Sequence, residues 1–144
     1  MRHPQLLVYE SDGRLAGLLK ETARALKWAF REPRQPEACL CLLQHGSPSV
    51  LVLRVSPDSP RDPTERTARH ARHELVLLER VAWLFPDTRT VMVCDHQAEL
   101  AGLAWDLGAD FVLGPTVPRE QLSSIVVGLM EAVAGCHADV VAEG

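Results

Sequence analysis

The sequence predicts a parallel α/β fold, a five-stranded sheet wound on both faces by helices. Three short runs, Leu6-Leu7-Val8-Tyr9, Val50-Leu51-Val52-Leu53 and Val91-Met92-Val93-Cys94, are apolar along their whole length. Strands buried on both faces of a parallel sheet have this composition. Between the runs lie stretches whose apolar residues recur at helical spacing. The runs end on Glu10, Arg54 and Asp95. In a parallel sheet the carboxyl ends of the strands form the functional crevice, so its rim carries an acid, a base and an acid.

Each element follows in order. After the first strand, Ser11 or Asp12 can cap a helix over residues 13–27, with Leu15, Leu18, Leu19, Thr22, Ala25 and Leu26 on one face. Residues 28–32 form a short edge strand that stops at Pro33. Pro36 opens a second helix in the tolerated first turn, carrying Ala38, Cys39, Leu42 and Leu43 and stopping at Gly46. The strand 50–55 leads into a Pro/Ser/Asp-rich loop over 56–63. The helix over 64–84 is apolar only in its second half, at Leu75, Val76, Leu78, Val81, Ala82 and Leu84. Phe85-Pro86-Asp87 ends it, and a strand over 90–94 and a helix over 98–107 closed by Gly108 come next. Phe111-Val112-Leu113 is the last strand. Pro118 opens the last helix, which carries Leu122, Ile125, Val126, Leu129, Met130 and Val133. Strictly alternating strands and helices imply right-handed crossovers and, at this length, a flavodoxin-like strand order. One domain over residues 1–136 and a tail over 137–144 are expected.

Composition narrows the function. The chain is 47% hydrophobic with a net charge of -4, which gives no global attraction to nucleic acid. No apolar run approaches the ~20 residues of a membrane span, and no signal-peptide pattern precedes the first strand, so the cytoplasm is the expected compartment. Cys39, Cys41, Cys94 and Cys136 have no metal or redox spacing, and the first three are expected to be small buried hydrophobes.

Several phrases resemble the receiver domain of bacterial two-component response regulators: Pro48-Ser49 running into Val50–53, Phe85-Pro86-Asp87-Thr88 before Val91-Met92-Val93, and Gly108-Ala109-Asp110 before the last strand. The resemblance covers residues 5–133 and implies a receiver-type fold. It also implies a phosphotransfer pocket, in which an aspartate nucleophile ends the third strand and an acidic pair after the first strand helps hold Mg²⁺. A Thr or Ser after the fourth strand and a Lys after the fifth engage the phosphoryl oxygens. Metal and ammonium offset the charge of the transferring group.

This sequence departs from that pattern at every position. The phosphoacceptor position falls on Arg54, the acidic pair on Glu10 and Ser11, the hydroxyl on Cys94, and the Lys on Pro115, or on Gly114 with a gap. Arginine is neither a nucleophile nor a partner for Mg²⁺. The expectation is a degenerate pocket of Glu10, Ser11, Arg54, Cys94, Asp95 and Pro115 with no metal, no cofactor and no enzymatic activity. Arg54 is expected to pair with Glu10, Asp95 or both, the alternative being a side chain turned to solvent.

Other candidates carry less. Asp58 suits a turn better than a relocated phosphoacceptor. Arg66, Arg69 and Arg72, with His70 and His73, are interleaved with Glu65 and Glu74 and lack aromatics, which fits a solvated helix face. His70-x-x-His73-Glu74 matches no helical zinc motif, and Glu10-Ser11-Asp12-Gly13 no dinucleotide loop. His96 is expected in a solvent-facing loop.

The fourth and fifth helices carry more apolar residues than covering a sheet requires. Leu100, Leu103, Trp105, Leu122, Ile125 and Leu129 therefore form a candidate interaction face, unless all of them are core. The resemblance implies that this face makes homodimers or binds protein partners. The chain ends soon after the fold closes, so it is expected to act through other proteins. The function expected is a phosphorylation-independent pseudo-receiver, an interaction module in a two-component phosphorelay, with no nucleic-acid or membrane partner. The alternative is a sensor holding a small anion, such as a nucleotide or phosphate, at Arg54.

Overall fold

The computed structural model describes residues 4–10, 13–45, 48–54, 65–94, 98–114 and 120–143, without the side chains of 65–73, 98–101 and 134–143. The elements are β1 (Gln5–Tyr9), α1 (Arg14–Ala25), β2 (Ala29–Arg31), α2 (Pro36–Gln44), β3 (Ser49–Arg54), α3 (Glu65–Leu84), β4 (Arg89–Val93), α4 (Ala98–Asp106), β5 (Phe111–Leu113) and α5 (Glu120–Glu143). All strands are parallel in the order β2-β1-β3-β4-β5. The order reverses between β1 and β3, the switch point at which such sheets open a crevice.

Strand alternation divides the core in two. Leu6, Val8, Val50, Val52, Val91 and Val93 face α1 and α5, while Leu7, Leu51, Leu53, Met92 and Cys94 face α2, α3 and α4. Helices cover both faces, which is why the strands carry no polar alternation.

Helix faces differ in detail from the periodicity. In α1 the buried stripe is Leu15, Ala16, Leu19 and Ala23, leaving Leu18 and Leu26 exposed. In α3 the core takes Leu75, Leu77, Leu78 and Val81, whereas Val76 and Leu84 are exposed. Cys41 is exposed rather than buried; Cys39 and Cys94 are buried. A single helix has two flanks beside its central stripe, and only the neighbouring elements decide which flank is covered.

α1 ends earlier than periodicity predicts because Lys27 takes a left-handed conformation, φ 60°. The Trp28 amide donates to the Ala23 carbonyl at 2.9 Å and the Lys27 amide to the Arg24 carbonyl at 3.3 Å, a Schellman closure. A side chain at such a position costs about 1 kcal/mol relative to glycine. Lys27→Gly is therefore expected to raise the unfolding free energy by about 1 kcal/mol, read as a shift in the urea midpoint at unchanged m-value.

At the amino ends of the central strands, Gln5 Nε2 donates to Ser49 Oγ at 2.8 Å and to the Leu42 carbonyl at 3.2 Å, satisfying a buried amide. Asp110 accepts from the Thr90 amide at 2.8 Å and pairs with Arg89 at 3.3 Å, fixing the entry to β5 against β4.

Candidate functional site

Register sets the site. Tyr9 stands opposite Leu53, Arg54 opposite Val93, and Val93 opposite Leu113. One residue further, Glu10 and Arg54 lie side by side at neighbouring strand ends, and Cys94 and Gly114 follow on β4 and β5. The Cys94 amide donates to the Leu113 carbonyl at 2.8 Å, holding that end of the sheet closed.

Glu10 is committed twice. Its Oε2 accepts from the Leu15 amide at 3.0 Å and its Oε1 from the Ala16 amide at 2.9 Å. Those amides belong to the first turn of α1, where backbone donors lack intrahelical partners and the helix dipole favours an anion. The same Oε2 lies 4.0 Å from Arg54 Nη1, with side-chain exposures of 4% and 2%. At that distance the contact is a charge pair rather than a hydrogen bond.

The helix cap is a correction to the sequence reading. Gly13 is the N-cap residue, at φ 76° and without a side-chain cap. The capping carboxylate comes instead from the strand before the helix. A carboxylate five and six residues upstream of the amides it binds has no local motif; its only sequence signal is an acid at the end of an apolar run.

Beneath the rim on the other face of the sheet, Tyr9 is half-buried and Glu74 of α3 is buried. Burial pushes the Tyr9 hydroxyl pKa above its ordinary value, with Glu74, Cys39 and Glu37 adding to the rise. Burial alone pushes the Cys39 thiol up to about 12. A thiol so disposed is no nucleophile near neutral pH. Glu74, read from sequence as part of a solvated face, is instead 5% exposed, and sequence reasoning missed it because charge pattern alone does not report burial.

Thus Glu10 and Arg54 come together, whereas Cys94, 1% exposed, packs into the core on the other face of the sheet. Ser11, Asp12, Asp58, Asp95, His96 and Pro115 lie outside the described residues, as do the side chains of Arg66, Arg69, Arg72, His70, His73, Leu100 and Cys136. Among the described residues no group of three or more His, Cys, Asp or Glu side chains is placed to hold a metal ion. Nor is any helix searched among them long and apolar enough to cross a membrane.

Solved structures share this architecture. A response regulator from Chloroflexus aurantiacus J-10-fl superposes with a TM-score of 0.63 at 18% identity, covering 90% of this chain and 98% of its own. The signal receiver domain of a LuxO repressor protein from Vibrio parahaemolyticus gives 0.65 at 16% identity, covering 100% and 99%. The receiver domain of NtrX from Brucella abortus gives 0.65 at 17%, covering 88% and 98%.

The chain has the receiver fold.

The sequence matches no protein-family model and no curated protein. In receiver terms, the third strand ends on a buried arginine. The one carboxylate described after the first strand is spent on the adjacent helix. The fifth strand is followed by Gly114, where a Cβ would meet nothing within 4 Å.

The interaction face expected from sequence separates into two groups. Leu122 is 1% exposed and belongs to the core, because it points from α5 into the β1–β3–β4 layer. Ile125 and Leu129 are half-buried against the same cluster. Leu103 and Trp105 are exposed, at 44% and 50%. Trp105 also stacks obliquely on Phe111, ring centroids 6.2 Å apart. Of the six residues, those described as exposed are thus the two on α4.

Proposed function

We propose that the protein is a phosphorylation-independent pseudo-receiver, a single domain over residues 1–136 with a short tail. It serves as a protein-interaction module in a two-component regulatory system in the cytoplasm. The observation that carries the reading is Arg54, 2% exposed at the end of β3 and 4.0 Å from Glu10. A guanidinium offers no oxygen to accept a phosphoryl group and repels the divalent cation that such transfer requires. Glu10, bound to two backbone amides, has little freedom to turn toward a metal. The domain therefore holds one pocket arrangement and acts through contacts rather than chemistry. Leu103 and Trp105 on α4 supply exposed apolar surface for a protein partner. A solved neighbour at TM-score 0.66, the NtrC4 receiver domain, is described as a dimer.

Incubation with acetyl phosphate and Mg²⁺, followed by intact-mass measurement, is expected to leave the protein mass unchanged. A covalent phosphoryl adduct on any side chain would overturn the reading. The competing idea, a small anion held by Arg54, requires the ligand to displace Glu10 from a nearly solvent-free contact. It would gain support from a thermal upshift with inorganic phosphate or a nucleotide that Arg54→Leu abolishes.

A further inference from the structure

Two amides and a guanidinium converge on one carboxylate just past the end of β1. The Leu15 amide donates to Glu10 Oε2 at 3.0 Å and the Ala16 amide to Oε1 at 2.9 Å. Arg54 brings its Nη1 to 4.0 Å of the same Oε2, and neither ionic side chain is more than 4% exposed. The amides belong to α1 and the guanidinium to β3, so only the fold brings them together. Gly13, the N-cap residue, supplies no side chain, which leaves the first turn of α1 without a capping group of its own.

These are the parts of an anion-binding site. Backbone N–H groups stand at the positive end of a helix dipole, with a buried cation beside them. The group seated there is tethered to the chain.

We infer that the first turn of α1 and Arg54 form a carboxylate receptor whose built-in occupant is Glu10, an autoinhibitory contact that closes the wild-type protein to free anions. The inference rests on the reading of the pocket as fixed and deepens it by naming what fixes it. The donors set the class of ligand. Each amide takes a different oxygen of one planar group, which suits a monocarboxylate. Inorganic phosphate would bring two further oxygens into a contact that is nearly solvent-free. The donors are also held independently of Glu10, because α1 is anchored in the core by Leu15, Ala16, Leu19 and Ala23. Glu10→Ala keeps Cβ and deletes Cγ, Cδ, Oε1 and Oε2, and the deleted atoms are those of acetate. The variant should therefore take acetate from solution in place of its own side chain.

Urea unfolding of the wild type and Glu10→Ala in sodium acetate, acetamide, sodium phosphate and sodium chloride tests this, with the three salts at matched ionic strength. Acetate is expected to raise the midpoint of Glu10→Ala in proportion to the logarithm of its concentration once that exceeds Kd. The wild type should have the same midpoint in acetate as in chloride. Acetamide, which has the shape of acetate without its charge, should stabilise neither protein. Adding Arg54→Leu to Glu10→Ala should shift the acetate dependence to about tenfold higher concentration, through loss of the nearby positive charge. Should Glu10→Ala be unfolded in chloride, recovery of its circular dichroism in acetate and not in acetamide would be the same result. A variant indifferent to acetate would overturn the inference, as would a wild type that responds as strongly as the variant. Acetamide as effective as acetate, or phosphate more effective, would overturn it too. A phosphoryl adduct overturns the pseudo-receiver reading and leaves the receptor standing; an acetate-indifferent Glu10→Ala does the reverse.

Discussion

Gly108→Ala is expected to destabilise the protein by about 3 kcal/mol, more than the same change at any other described glycine. Two costs add. Gly108 sits at φ 110°, a region that L side chains rarely adopt, and an added Cβ would lie 2.8 Å from the Ala82 Cβ of α3. Gly108 cannot easily leave that conformation. Its amide donates to the Trp105 carbonyl at 3.2 Å, and the next amide, of Ala109, to the Ala104 carbonyl at 3.0 Å, closing α4. The melting midpoint should fall by roughly 10 °C, at about 3 °C per kcal/mol for a chain of this size. Combining it with Ala82→Gly separates the two costs. That partner change removes the clash at about 1 kcal/mol for a glycine inside a helix. If the double variant is no more stable than the sum of the two single effects, the close approach carries nothing and the whole cost is backbone strain.

The fold was legible because both faces of the sheet are covered. Buried parallel strands must be apolar throughout, so β1, β3 and β4 stand out as unbroken runs, and the helices between them leave one economical strand order. Gly108 was legible as a helix stop by type alone, though its contact with Ala82 depends on how α3 packs against α4.

The site was legible in part. Parallel strands put Glu10 and Arg54 at adjacent ends, so their meeting follows from the register of β1 and β3. The capping role of Glu10 was hidden, because the amides of Leu15 and Ala16 reach it only through the turn after β1. Helix surfaces were the least legible. Leu122 and Leu103 have the same apolar character, yet one lies in the core and the other faces water. The difference lies in tertiary neighbours, which periodicity within one helix does not encode.

The second large effect is expected at Glu10. Glu10→Ala should cost about 3–4 kcal/mol, whereas Arg54→Leu should cost no more than about 1–2 kcal/mol. The asymmetry follows from distance. The carboxylate holds two backbone amides at 2.9 and 3.0 Å but the guanidinium only at 4.0 Å. Removing Glu10 strips two acceptors from the first turn of α1 and takes a carboxylate from a cation that remains buried. Replacing Arg54 by leucine leaves the helix cap intact and substitutes apolar volume for a charge that was costly to desolvate. Urea unfolding of both single variants and the double variant measures each cost and their coupling. Equal losses for the two single variants would mean that the ion pair, and not the helix cap, is what Glu10 mainly provides. The predicted order carries a functional consequence. A carboxylate engaged first by the helix and second by an arginine is part of the scaffold, and converting Arg54 to aspartate would not by itself free it to bind a metal. Arg54→Asp is accordingly expected to remain unmodified by acetyl phosphate and Mg²⁺, with intact mass as the readout, because Glu10 stays on the amides of Leu15 and Ala16.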